Sequence, residues 1–81
     1  MKVRHFLLVR SVCPVDKLPD VYETIVETTS VLPVETIIEV AQSFAERELY
    51  QEDLTSEMAR RLGATVTTTG WHSGVRTEVS A

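Results

Sequence analysis

The chain is poor in the residues that build disulfides and metal centres, with one cysteine and two histidines among 81 residues. A single thiol cannot form an internal disulfide, and no second residue of a metal-binding type follows or precedes His5 at a spacing typical of metal sites. We therefore predict no metal site and expect His5 to be structural or exposed. No apolar run approaches the length of a membrane span, and no signal-peptide pattern opens the sequence. These absences predict a cytoplasmic protein.

Basic residues are also few, since eight Lys and Arg stand against twelve Asp and Glu for a formal net charge of -4. That balance counts against a broad nucleic-acid-binding face, which needs clustered positive charge, and leaves open only a local patch at Arg60 and Arg61. The composition, 43% hydrophobic and 25% charged, is that of a folded domain. We expect residues 1–81 to form a single domain with a small core that association completes, which favours binding sites between subunits.

Alternating apolar residues predict two strands at the start of the chain. In residues 2–12 both faces are apolar in the middle, which predicts helices on one face and a neighbouring subunit on the other. Residues 21–29 predict the second strand. Glu23 and Glu27 share one of its faces and are either a carboxylate pair or a solvated face; we favour the solvated face.

After Pro33 the apolar period becomes helical. A stripe predicts a helix that runs to about Arg47; its residues are Val34, Ile37, Ile38, Ala41, Phe44 and Ala45. A second stripe of Leu54, Met58 and Leu62 predicts another helix, with Glu52 and Asp53 at its start and Gly63 at its end. Residues 64–71 and 75–80 predict a closing hairpin joined by His72-Ser73-Gly74. The fold class is therefore α+β, a four-stranded antiparallel sheet with two helices on one face in the order ββααββ.

The segment of residues 13–20 is the strongest candidate for chemistry. It holds the only thiol, Cys13, at the end of an apolar strand, and Asp20 follows across a loop bounded by Pro14 and Pro19. A nucleophile with a proton donor can be built in this way. The alternative is that Cys13 is a small core hydrophobe. Trp71 and His72 could likewise form a stacking surface for a flat ligand, or cover a sheet edge, which we favour.

Cys13-Pro14-Val15 followed by Pro19-Asp20 resembles the pattern of the NADPH-dependent nitrile reductase of queuosine synthesis, at the same separation. With the element order, it is similar to the QueF-like branch of the tunnel fold, which also holds the amidinotransferase of archaeosine synthesis. Weaker matches are Val34-Glu35-Thr36 and the closing hairpin. Residues 51–55, Gln-Glu-Asp-Leu-Thr, are similar to a segment of GTP cyclohydrolase I, another tunnel-fold enzyme. The resemblance implies an oligomeric barrel that binds purines or pterins at its subunit interfaces.

The resemblance also implies site residues. Cys13 would attack the nitrile carbon of 7-cyano-7-deazaguanine, free or in a nucleic acid, to form a thioimide. Asp20 would pass the proton, and Glu52 would bind the heterocycle by accepting hydrogen bonds from one edge. Without the resemblance, Glu52 is only an acid in the first turn of a helix.

Departures from the family patterns decide between its members. The stretch after Glu35 has no Lys, so the basic signature that serves NADPH is missing, and Gln51 replaces the histidine before the reductase glutamate. The zinc ligands of the cyclohydrolase are absent too. We therefore expect an amidine-forming enzyme without a cofactor. A reductase with NADPH as cofactor is the alternative, as is a noncatalytic module that binds a purine or pterin. The expected partners are the nitrile and further copies of this chain, with no membrane.

Overall fold

The computed structural model describes the whole chain, Met1–Ala81, as a four-stranded antiparallel sheet with two helices. In chain order the elements are β1 Val3–Val12, β2 Pro19–Thr28, α1 Val34–Gln42, α2 Gln51–Leu62, β3 Thr65–His72 and β4 Val75–Ser80. The strands lie in the sheet in the same order, β1-β2-β3-β4. The predicted ββααββ order is confirmed. Neither helix is long and apolar enough to cross a membrane.

The helices cover one face of the sheet and enclose the core with it. Eleven hydrophobic residues are buried there: Val9, Tyr22, Val26, Ile37, Val40, Ala41, Phe44, Leu54, Met58, Leu62 and Val66. The opposite face, which we call the bare face, is open in the single chain: Phe6 is 68% exposed, Leu8 53% and Val21 46%. Glu27 of this face pairs with Arg4 at 3.5 Å, in agreement with a solvated carboxylate row.

The first helix is shorter than predicted, because it ends at Gln42 and not near Arg47. The Val12 N–H donates to the Arg47 carbonyl at 2.9 Å, and the Leu49 N–H donates to the Val12 carbonyl at 3.1 Å. These bonds pull the chain out of the helical path and toward the end of β1. The predicted stripe was partly wrong as well. Val34 and Ile38 are 51% and 44% exposed, because the short helix turns Ile37, Val40 and Ala41 to the core.

Strand boundaries near the site also differ from the prediction. The second strand begins at Pro19, which pairs with Val12, and a proline is tolerated at the first residue of a strand. The third strand continues through His72, because the hairpin turns on Ser73 and Gly74 alone, with φ values of 50° and 82°. Positive φ at both central residues is typical of a type I′ turn. His72 therefore belongs to the strand row that faces the helices, and not to the turn.

Candidate active site

Cys13 stands just beyond β1 in a tight turn, half-buried, and is not part of the core. Its N–H donates to the Leu18 carbonyl at 2.9 Å, and its carbonyl accepts from the Lys17 N–H at 3.0 Å. Lys17 adopts the left-handed region with φ 63°. The thiol is thus held on a turn whose backbone is hydrogen-bonded on both sides, at a position that a ligand can reach.

Asp16 is a carboxylate of the same turn that the sequence did not single out. Its Oδ1 accepts from the Leu18 N–H at 3.0 Å. This hydrogen bond, with a smaller contribution from the side chain of Cys13, holds the pKa of Asp16 below its ordinary value. An ionised carboxylate therefore lies beside the thiol, where it can accept a hydrogen bond from the thiol and orient it.

The end of β1 is tied to the start of α2. Val12 forms an isolated parallel bridge with Glu48, and Glu48 Oε1 lies 2.7 Å from Nζ of Lys17 in the turn that carries Cys13. Because Glu48 shortly precedes α2, this pairing places the thiol next to the first turn of that helix. Glu52 lies in that turn, exposed, and its carboxylate makes no hydrogen bond or ion pair with the rest of the chain.

Asp20 lies in β2 opposite Ser11 and is partly buried. The hydroxyl of Tyr22 donates to Asp20 Oδ2 at 3.1 Å. Burial, and secondarily the charge of Asp20, raise the pKa of Tyr22 far above its ordinary value, so the phenol remains a neutral donor. Gly70 makes room for this ring, since a Cβ there would lie 2.6 Å from Cδ1 of Tyr22.

His72 completes this corner of the site from β3. Its Nδ1 lies 3.8 Å from Oδ1 of Asp20, and its Nε2 lies 3.2 Å from Oε1 of Gln51. The ring packs at 5.9 Å from the ring of Tyr22. The reductase pattern has a histidine where this chain has Gln51. His72 supplies a histidine to the same region from the sheet.

One cavity of about 400 Å³ gathers these groups. Cys13, Asp20 and Glu52, the three residues singled out by the resemblance, all line it, although they come from three different segments. Its other lining residues are Pro14, Val15, Asp16, Tyr22, Leu49, Tyr50, Gln51, Trp71, His72, Ser73 and Thr77. A thiol, the carboxylates of Asp16 and Asp20, an imidazole and the free carboxylate of Glu52 can together support attack on an electrophilic carbon with proton transfer.

Other candidate residues lie elsewhere. His5 and Glu27 are on β1 and β2 away from the cavity, and Arg61 is engaged by Ser43 and Glu57. No three His, Cys, Asp or Glu side chains cluster closely enough to hold a metal ion.

Tyr22 was not singled out from the sequence, and His72 was assigned to the turn. Extending the strand alternation by one residue would have placed His72 on the helix-facing side.

The sequence matches no protein-family model and no curated protein. Among solved structures, the crystal structure of the archaeosine synthase QueF-Like in the apo form is similar to this chain with a TM-score of 0.87 and 29% identity. The match covers 99% of this chain and 90% of that one. With its ββααββ sheet and a cavity at the Cys13 turn, the chain is a tunnel-fold protein. Within that fold, the similarity to an archaeosine synthase supports the QueF-like family, which the Cys13 to Asp20 segment predicted.

Proposed function

We propose that this chain is a QueF-like enzyme that converts the nitrile of 7-cyano-7-deazaguanine, free or within a nucleic acid, to an amidine. One observation carries the proposal: Cys13, Asp20 and Glu52, from a turn, a strand and a helix, line one cavity. The similarity to an archaeosine synthase over nearly the whole chain supports a reaction of that class.

The chemistry proceeds in two steps at the cavity. The Cys13 thiolate attacks the nitrile carbon, so that an S–C bond forms, one C–N π bond breaks, and the nitrile nitrogen takes a proton from Asp20. The product is a covalent thioimide. Ammonia or an amine then adds to the same carbon, the C–S bond breaks with return of the thiolate, and a proton of the added nitrogen passes to Asp20, which leaves the neutral amidine and restores the acid. Asp16, ionised beside the thiol, accepts a hydrogen bond from it and orients the sulfur for the first step.

Glu52 binds the heterocycle in this proposal. Its carboxylate is exposed in the first turn of α2 and has no hydrogen-bond or ion-pair partner within the chain. An ionised carboxylate can accept two hydrogen bonds from adjacent N–H groups on one edge of a base. Trp71 and Tyr50, 66% and 56% exposed at the same cavity, offer flat faces to the ring.

The reductase alternative would need a grip on the phosphates of NADPH. The cavity lining contains no Lys or Arg, and its charged members are Asp16, Asp20 and Glu52. These residues do not fit a polyanionic cofactor, because carboxylates repel phosphates and the lining has no arginine guanidinium that could bind a phosphate with two hydrogen bonds. The lining therefore supports amidine formation without a cofactor over hydride transfer.

Assembly into a closed ring of identical copies belongs to the same proposal. The sheet has two outer edges, β1 and β4, and the bare face exposes Phe6 and Leu8. Pairing β4 of one copy with β1 of the next would satisfy both edges and continue the sheet. Sedimentation at micromolar concentration should give an oligomer, and a monomer would contradict this part of the proposal.

The reaction is tested by incubating the protein with 7-cyano-7-deazaguanine and ammonium, and following the base by mass spectrometry. We expect the amidine from the native chain and none from Cys13→Ala. Nitrile-dependent oxidation of NADPH would instead establish the reductase. Calorimetric binding that survives Cys13→Ala, is lost in Glu52→Ala and gives no product would establish the noncatalytic module.

A further inference from the structure

The side-chain amide of Gln51 has one possible orientation. Gln51 is 3% exposed, and its Nε2 lies 3.0 Å from the Thr77 carbonyl, 3.2 Å from the Thr68 carbonyl and 3.1 Å from Thr68 Oγ1. The Thr55 hydroxyl donates to the Gln51 backbone carbonyl at 2.7 Å, so the Thr68 hydroxyl must donate to Thr55. All three groups around Nε2 are therefore acceptors. A flipped amide would place its oxygen against them.

This orientation points Oε1 of Gln51 at His72. Because a carbonyl oxygen can only accept, Nε2 of His72 must carry the proton in their 3.2 Å contact. In the neutral ring, Nδ1 is then left with a lone pair, and it faces Oδ1 of Asp20 at 3.8 Å. The other titratable groups that line the cavity with this ring are Asp20 and Tyr22 from β2, Cys13 and Asp16 from the turn, Tyr50 just before α2 and Glu52 from α2.

The geometry points to Gln51 and His72 as positioning residues that together control the proton at Asp20. Gln51 fixes the tautomer of His72, so that Nδ1 is the ring nitrogen that faces Asp20 Oδ1 and can exchange a proton with it. An ionised Asp20 alone would favour the opposite neutral tautomer, with the proton on Nδ1, because a carboxylate only accepts. The buried amide therefore decides which ring nitrogen exchanges its proton with the carboxyl.

The role of this pair in turnover rests on the proposed function. The Cys13 S–H bond breaks and its proton passes through water to the Asp20–His72 pair as the S–C bond forms. The pair delivers a proton to the nitrile nitrogen as the C–N π bond breaks. The proton count is unchanged by the two transfers, and no other reactant is needed.

The tautomer can be measured on the ligand-free protein, so its test does not depend on the proposed function. Long-range ¹H–¹⁵N correlation spectra distinguish the two neutral imidazole tautomers, and His5→Gln removes the signals of the other histidine. We expect neutral His72 to carry its proton on Nε2. A dominant Nδ1–H form in the native protein would overturn the inference.

The role in proton transfer is tested with His72→Gln, and His5→Gln is the matched control outside the cavity. We expect His72→Gln to slow thioimide formation by roughly tenfold or more and to remove one limb from the pH profile of that rate. Binding of 7-cyano-7-deazaguanine should be retained. A purely structural role would leave the shape of the profile unchanged, which would overturn the proton role. Absence of an adduct on the native chain would overturn the proposed function and this role with it, while the spectra decide the tautomer separately.

Discussion

The hydroxyl of Tyr22 donates a hydrogen bond to Oδ2 of Asp20 at 3.1 Å from inside the core, where Tyr22 is 1% exposed. The contact couples the packing of the sheet to the proton donor of the candidate site. Because the phenol is buried and neutral, it can only orient the carboxyl and does not titrate with it at ordinary pH.

Tyr22→Phe removes this donor and keeps the ring. A hydrogen bond between uncharged groups contributes about 0.5–1.5 kcal/mol, so we expect thioimide formation from protonated Asp20 to slow roughly twofold to tenfold. Single-turnover mass spectrometry measures the rate, and thermal unfolding checks that the variant is folded. An unchanged rate in a folded variant would show that the hydroxyl does not position Asp20.

The raised pKa of Tyr22 predicts a loss of stability in alkali. Unfolded tyrosine ionises near pH 10, whereas the folded chain holds the phenol protonated, so its contribution is full below about pH 10 and is lost as pH rises above that value. Denaturant unfolding at a series of alkaline pH values should show a steeper decline for the native chain than for Tyr22→Phe. Parallel curves would contradict the assigned cause.

Gly70→Ala tests the close approach of β3 to the Tyr22 ring. A Cβ 2.6 Å from Cδ1 of a fully buried ring forces the ring to move, and such overpacking costs about 1–3 kcal/mol. We expect a lower free energy of unfolding together with slower thioimide formation, since Tyr22 carries Asp20 with it. Native stability in this variant would mean that the ring has room to shift without cost.

The turn after α1 depends on an ion pair at the surface. Glu57 accepts from Arg47 at 2.7 and 3.1 Å and lies 3.4 Å from Arg61, and these contacts, Arg47 first, lower the pKa of Glu57. A lowered pKa in the folded chain gives stability that is present above the unfolded value of about 4.3 and is lost as pH falls through the folded value. Glu57→Gln should therefore lower the melting temperature at pH 7, and the difference should shrink in acid. If the two melting temperatures differed by the same amount at every pH, the ionised Glu57 carboxylate would not be the source of the stability.

The element order was accessible from the sequence because each element has a clear apolar period, and the Ser73-Gly74 hairpin has its own turn signal. The end of α1 could not be predicted from the sequence, because hydrogen bonds of Val12 with Arg47 and Leu49 determine where the helix ends, and Val12 is distant from them in the sequence. In the site, Cys13, Asp20 and Glu52 came from a short motif and a resemblance. Gln51 and His72 could not be connected in this way, because their contact depends on threonines that only the folded sheet brings to Gln51.

The central claim is that the Cys13 sulfur forms a covalent bond with a nitrile carbon. Intact-protein mass spectrometry after incubation with 7-cyano-7-deazaguanine, without ammonia, tests it most directly. The account predicts that the mass of the native chain increases by the full mass of 7-cyano-7-deazaguanine and that the mass of Cys13→Ala does not change. Ser56→Ala, which changes an exposed α2 residue outside the cavity lining, is the control and should still react. No adduct on the native chain, or an equal adduct on Cys13→Ala, would contradict it.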